Sequence, residues 1–329
     1  MTEPTIESTR RTSDADRRRR IAAELPRASD GVSGLVPTHR GKVRDVFVRG
    51  DEVLLVASDR VSAFDVVLGT IPFKGELLTE QAVFWLERAG QIAPTHLLER
   101  VDPAAMRCRR ASAFPVELVV RGYLAGSLAR EPAESRGKAY GLTLDPAQRP
   151  HTAFATPIIT PTTKEAVGVH DQPCSLDDVV ASGRVSRAHL ERACEIALAL
   201  FALGQAHADR QGLILVDTKY EVGLIDGEVA IIDEVHTADS SRFWVKDSWA
   251  ARLAAGDVPE MLDKENLRRW LLSVGYSGNG TPPVLLDAVR ADLAAHYWDL
   301  TERVLGQPVV PVGADAERLK AVVGRFLGA

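Results

Sequence analysis

Residues 213–235, LILVDTKYEVGLIDGEVAIIDEV, decide the fold class. Two apolar, β-branched runs flank Asp226-Gly227, a dipeptide that accepts the positive φ angles of a tight turn, so the stretch predicts an antiparallel hairpin. On its first strand Asp217, Lys219 and Glu221 alternate and therefore project from one face. An isolated D-x-K-x-E is ordinarily a solvated face with cross-strand ion pairs. Here the neighbours are apolar and the return strand ends in Ile231-Ile232-Asp233-Glu234-Val235, so carboxylates lie in sequence that reads as buried. Buried charge needs compensation; a divalent cation with a polyphosphate would supply it, through the hard oxygen ligands suited to Mg²⁺. Register makes this measurable. A two-residue turn pairs Ile225 with Glu228 and Glu221 with Ile232, leaving Asp233 facing away, whereas a three-residue loop or one bulge sets Glu221 opposite Asp233. The second arrangement is the expected one, because there both could share a metal.

Outward from this hairpin the chain is mixed α and β. Residues 42–48 and 53–58 predict a second hairpin around Gly50-Asp51. Helical spacing runs through residues 79–89, and residues 116–120 form a buried strand candidate. Ser186 opens a helix to about Gln211. From Asp247 onward helices dominate, interrupted by the glycine-rich loop 275–280. Residues 142–173, rich in Pro, Thr and His, read as a long functional loop. Residues 1–30 hold seven arginines against six acidic residues and few large apolar side chains, so they read as a disordered extension. Its run Arg17-Arg18-Arg19-Arg20 reads as a solvated helix start more readily than as a polyanion site, because Asp14, Asp16 and Glu24 stand beside it. No signal-peptide core follows it.

With 329 residues, a net charge of −5 and 26% charged residues, the composition is that of a soluble protein with more than one lobe and no demand for a nucleic-acid partner. No apolar run approaches the roughly 20 residues of a membrane span. Cys108, Cys174 and Cys194 are odd in number and form no CxxC, which favours a reducing cytoplasm over a disulfide framework. The histidines show no HExxH spacing and read as surface or capping residues. Gly41-Lys42-Val43-Arg44-Asp45 starts a strand with a glycine and two cations that can lie over phosphates, although it is neither a Walker loop nor GxGxxG. Arg121 with Ser127, and Ser240-Ser241-Arg242, could hold a phosphate monoester; helix capping is the plainer account of the serines.

Together these segments resemble the SAICAR synthetase (phosphoribosylaminoimidazole-succinocarboxamide synthase) family. The resemblance runs through GKVRDVF at 41–47, SDRVSAFD at 58–65, IPFKG at 71–75, PVELVVRGYLAGS at 115–127, TPTTK at 160–164, His170-Asp171, DTKYEVG at 217–223 and DEVHTADSSRFW at 233–244. It spans roughly residues 35–275, and only Val222, where the family usually has a larger apolar residue, departs mildly from it. It implies an α+β fold of two lobes, related to ATP-grasp enzymes, with antiparallel sheets and a C-terminal helical region. The expected division is the extension 1–30, an N-terminal lobe 31–114 with a phosphate-covering hairpin, a central nucleotide and substrate lobe 115–246, and helices over 247–329.

The resemblance also implies the chemistry: an ATP-dependent joining of an imidazole ribonucleotide carboxylate to L-aspartate through an acyl phosphate, in the cytoplasm, by a monomer or small homo-oligomer with neither nucleic acid nor membrane as partner. ATP and Mg²⁺ are the implied cofactors. Glu221 and Asp233 are the implied metal ligands, and with Lys219 and Asp171 the catalytic set. Lys42, Val43, Arg44 and Lys164 are implied at the ATP phosphates, Glu117 and Val119 at adenine. Arg121, Ser127, Lys219, Ser241 and Arg242 are implied around the imidazole substrate, and Asp59, Ser62 and Lys74 on the ribose or aspartate side. A kinase that phosphorylates its acceptor and stops would share the hairpin carboxylates. A nucleotide-sensing module without catalysis could have dispensed with them.

Overall fold

A computed structural model describes residues 11–32, 34–164 and 171–328. The chain begins with α1 (Asp14–Glu24), followed by β1 (His39–Arg40), β2 (Arg44–Arg49), β3 (Glu52–Ala57), β4 (Arg60–Ala63), β5 (Val66–Thr70), α2 (Lys74–Ala89), β6 (Leu97–Asp102) and β7 (Ala105–Arg109). The middle carries β8 (Ser112–Tyr123), α3 (Gly126–Arg130), β9 (Ala153–Thr163), α4 (Leu176–Ala181), α5 (Arg187–Arg210), β10 (Leu213–Ile225), β11 (Glu228–Ile232) and β12 (Ser241–Val245). Helices α6 (Lys246–Ala255), α7 (Glu265–Ser273), α8 (Asp287–Leu305) and α9 (Ala316–Leu327) complete it.

Among the described residues the strands form two larger antiparallel sheets and the small β4–β5 hairpin. The first sheet has the order β1-β2-β3-β7-β6; the second runs β11-β10-β8-β9, with β12 also on β10. Both expected hairpins are present. The α5 helix starts and stops where the sequence places it: the Ser186 side chain accepts from His189 N–H, and Gln211 closes the last turn. Its buried stripe, Leu190, Ala193, Ala197, Leu200 and Phe201, packs on the second sheet. Gly204 lies on the same face, where an added Cβ would come within 2.4 Å of the His236 ring, so only glycine lets helix and loop meet this closely.

Three expectations need correction. Residues 14–24 of the supposed disordered extension form α1, because tertiary contacts supply what its composition lacks. Ile21 is fully buried, Arg17 meets Asp299 of α8 at 3.0 Å, and Arg20 lies over the rings of Phe73 and Trp298. Residues 1–10 lie outside the described residues. The long loop 142–173 contains an eleven-residue strand, β9, paired along β8. Its Pro157 and Pro161 mask the strand in sequence, and β8 offers it the long edge along which it pairs; a proline without N–H is tolerated where that group would face away from the partner. His96 and His236 are buried, not surface residues: Tyr220 Oη and His236 Nε2 are 2.5 Å apart in the core.

Candidate active site

The long strand β10 creates the site by changing partners halfway. One edge pairs with β8 from Asp217 to Leu224. The other pairs with β12 from Leu213 to Thr218 and with β11 from Glu221 to Ile225. The chain between β11 and β12 must leave the sheet at that break, beside Lys219, whose N–H donates to Ser240 O at 2.9 Å. Charged side chains of β10 and of this loop therefore face a common cleft.

The hairpin register is the two-residue one. Ile225 pairs with Glu228 and Glu221 with Ile232, so the expected placement of Glu221 opposite Asp233 is incorrect. Both carboxylates nevertheless line the cleft. The strand ends at Ile232, and Asp233 adopts a left-handed backbone with φ 65°. Leaving the pleat cancels the alternation that would have turned its side chain away, and aspartate enters this region at less cost than most residues.

The cleft has a volume of 700 Å³ and lies between the β1–β2 end of the first sheet and the β8, β10 and β11 face of the second. It brings together the expected phosphate group Lys42, Val43, Arg44 and Lys164 with Glu117, Lys219, Glu221 and Asp233. Ser62, Ser127, Asp171 and Arg242 also line it; His170 lies outside the described residues.

Most of its charges are mutually compensated. Arg44 pairs with Asp233 and, at 2.5 Å, with Glu234. Lys219 reaches Glu117 at 2.6 Å and Glu221 at 3.2 Å, Lys164 pairs with Glu221, and Lys42 pairs with Asp65. Burial disfavours the Glu221 carboxylate, but Lys219 and Lys164 outweigh it and hold its pKa below the usual range. Burial likewise opposes the charges of Arg44 and Lys219, and their acidic partners more than offset it. For Glu117 burial prevails and the pKa rises.

Asp65 sits at the tip of the β4–β5 hairpin, where Phe64 and Asp65 have φ of 51° and 62°. Two successive non-glycine residues there make a strained turn. At the other end of the cleft Gly126, with φ +60°, lies 2.5 Å from the Arg242 guanidinium as measured from a built Cβ, so a side chain would displace that arginine.

Five expected site residues lie off the cleft wall. Arg121 is buried behind it, 3.2 Å from Asp217 and 3.2 Å from Ser127 Oγ; Asp217 in turn holds Arg242 at 2.7 Å. Ser241 is buried against Thr218, and Val119 belongs to the β8 ladder. Lys74 is fully buried, with Nζ 2.7 Å from Asp239. Asp59 accepts from Gly75 and Ser29 N–H at 3.0 and 2.9 Å, and burial raises its pKa to about 6.

Sequence inspection missed Asp239, Lys264 and Arg268. Asp239 lies inside the quoted 233–244 motif and could have been singled out. The Asp263-Lys264-Glu265 turn at the start of α7 carries no local pattern that separates it from an ordinary helix start.

Among the described residues no group of three or more His, Cys, Asp or Glu side chains is arranged to hold a metal. The donor set still fits a hard cation. Glu221 and Asp233 supply two carboxylates, and the remaining positions would fall to phosphate oxygens and water, the usual manner of Mg²⁺ binding. No described helix is long and apolar enough to cross a membrane.

A family model described as SAICAR synthetase matches residues 37–283. The chain belongs to the SAICAR synthetase family. A phosphoribosylaminoimidazole-succinocarboxamide synthase of Cytophaga hutchinsonii is 41% identical over 272 residues, 82% of this chain and 87% of that protein. Its counterpart in Bacteroides thetaiotaomicron is 36% identical over 300 residues, 89% and 96% of the two chains. The SAICAR synthase structure from Saccharomyces cerevisiae, complexed with SAICAR, matches with a TM-score of 0.72 at 28% identity, covering 84% of this chain and 97% of that one. A SAICAR synthetase solved with ADP shares the fold at a TM-score of 0.64 and 22% identity, over 83% and 99%. The α+β architecture with antiparallel sheets is thus the SAICAR synthetase fold.

Proposed function

We infer that this chain is an ATP-dependent ligase that joins 5-amino-1-(5-phosphoribosyl)imidazole-4-carboxylate to L-aspartate, yielding SAICAR, ADP and phosphate in purine biosynthesis. Family membership supports the substrates, and one structural observation supports the chemistry: Glu221 and Asp233 share a cleft with three cations, Arg44, Lys164 and Lys219, that their own salt bridges hold in reserve.

A carboxylate resists an amine until one oxygen becomes a leaving group, so the γ-phosphoryl of ATP is first transferred to the imidazole carboxylate. The aspartate amine then displaces phosphate. The protein's contribution is positioning and charge neutralisation. Lys42, Arg44 and Lys164, with the Val43 backbone between the first two, turn from Asp65, Asp233 and Glu221 toward the incoming phosphates. This frees Glu221 and Asp233 to hold Mg²⁺, which when bound there neutralises phosphate oxygens during transfer. Glu117 and Val119 lie on the β8 segment assigned to adenine. Arg242 and Ser127, braced from behind by Asp217 and Arg121, take the anionic groups of the imidazole ribonucleotide, and Lys219 its carboxylate. Ser62 faces the ribose or aspartate side, and Asp171 the imidazole's amino group or a second cation. Ser241, Asp59 and Lys74 act from behind the wall as positioning residues. The lobe boundaries near 114 and 246 fit the passage from the first sheet to the second and from sheet to helices. A reducing cytoplasm suits three free cysteines.

Phosphate release measured with ATP, Mg²⁺ and the imidazole carboxylate, with and without L-aspartate, tests this. Ligation predicts turnover that depends on aspartate, with aspartate incorporated stoichiometrically into the product. Steady turnover indifferent to aspartate would identify a kinase instead.

A further inference from the structure

The cleft cations differ in one respect. Lys42, Arg44, Lys164, Lys219, Arg242 and Arg268 each have a carboxylate within hydrogen-bond distance. Lys264 does not. Its side chain is 15% exposed, and its nearest carboxylate oxygen, Asp239 Oδ1, is 3.9 Å away. Asp239 is already engaged: Lys74 Nζ lies 2.7 Å from Oδ2, and Tyr297 Oη donates to Oδ1 at 2.5 Å.

The position is also rigid. Asp263 accepts from Phe243 N–H at 2.8 Å and from Glu265 N–H at 2.7 Å, which clamps the turn carrying Lys264 to β12. The charged groups facing Lys264 are Asp239 and Glu234 from the loop between β11 and β12, Arg268 from α7 and Lys74 from α2. Burial is the largest influence; against Asp239 and Glu234, and together with Arg268 and Lys74, it brings the amine down to about 8. A desolvated lysine among cations, with no hydrogen-bonded carboxylate among the described residues, is suited to give and take a proton near neutral pH.

We propose that Lys264 is the proton acceptor that converts the L-aspartate α-ammonium into the attacking amine. The inference rests on the ligase reading above. One proton passes from the ammonium to neutral Nζ and on to solvent. The freed lone pair forms the C–N bond at the acyl phosphate carbon, and the C–O bond to phosphate breaks. The second nitrogen proton leaves with the phosphate, giving the amide and hydrogen phosphate.

A nucleophile that is already neutral separates this role from anion binding. Hydroxylamine traps acyl phosphates without needing a base. The experiment compares the full-length protein with Lys264→Arg and Lys264→Gln under saturating ATP, Mg²⁺ and imidazole carboxylate, supplying either L-aspartate or hydroxylamine. General-base loss predicts that the ratio of aspartate-supported to hydroxylamine-supported turnover falls about 100-fold or more in both variants. The pH profile of kcat/KM for aspartate should lose the limb due to the lysine, leaving only the titration of aspartate's own amine. Equal losses with both nucleophiles, or an unchanged ratio, would overturn the proposal. Hydroxamate formation shows that the variant is folded and makes acyl phosphate. If the wild-type protein forms neither hydroxamate nor an aspartate adduct, the ligase reading itself has failed.

Discussion

Carboxylates on the two sides of α2 are satisfied in different ways. On the cleft side, Glu221 and Asp233 are compensated by the side chains of Lys219, Lys164 and Arg44. On the far side, three glutamates from three helices accept backbone N–H groups of the segment joining α8 to α9. Glu302 of α8 accepts from Val309 at 3.2 Å, Glu76 of α2 from Val312 at 2.7 Å, and Glu24 of α1 from Ala314 at 3.1 Å. Side-chain cations can turn away to a ligand at the cost of a few rotamers, whereas backbone donors cannot. The same residue type therefore forms an exchangeable network at the front and a fixed fastening at the back. Helix α2 joins the two, since Lys74 begins it at Asp239 and Glu76 follows two residues later.

Breaking the junction should have the largest effect. Lys74→Met leaves Asp239 buried without its closest cation, which costs about 3–5 kcal/mol. Chemical denaturation should show this as a lowered midpoint with the slope retained. A loss below about 1 kcal/mol would mean that Lys264 and Tyr297 suffice for Asp239, and the pair would then belong to the exchangeable side.

Glu221→Gln sharpens the contrast at the front. Turnover should fall by roughly 10²–10³-fold, as when one oriented electrostatic partner is removed. Stability should change by less than about 1 kcal/mol, because Lys219 keeps Glu117 and the half-exposed Lys164 gains water. Steady-state kinetics beside thermal melting tests both; unchanged turnover would remove Glu221 from the proposed metal site.

The smallest effect is expected at the back and depends on pH. Burial raises Glu76 from 4.5 to about 7, against the opposing Val312 N–H and Arg318. Between these values the folded state binds more protons than the unfolded chain, so this residue's contribution is intact below about 4.5 and is lost as pH rises through 7. Glu76→Gln keeps an acceptor for Val312 without the charge. It should melt above the wild type at pH 8 by about 1–3 kcal/mol of stability, with the difference closing toward pH 5. A constant difference across that range would show that Glu76 does not titrate there.

Sequence inspection found the β10–β11 hairpin, the α5 helix and most of the cleft wall, because each depends on local periodicity, turn chemistry or a compact motif. It failed where distant residues decide. The α1 helix exists because α8 offers Asp299 to Arg17 and aromatic rings to Arg20. The β9 strand exists because β8 has a free edge for it. Asp59 and Lys74 stand in motifs beside true cleft residues, yet the fold turns them inward, since a motif fixes neighbourhood and not side-chain direction.

The amino-acid order alone determined the alternating strands, the Asp226-Gly227 corner, the amphipathic helix and the family, all of them consequences of interactions between residues near in the chain. Only the folded molecule decided that Asp233 reaches the cleft through a left-handed backbone in spite of its register, and that Lys264 stands among cations with no hydrogen-bonded carboxylate among the described residues. Both depend on which surfaces meet and what they exclude from water, a long-range property that no local pattern carries.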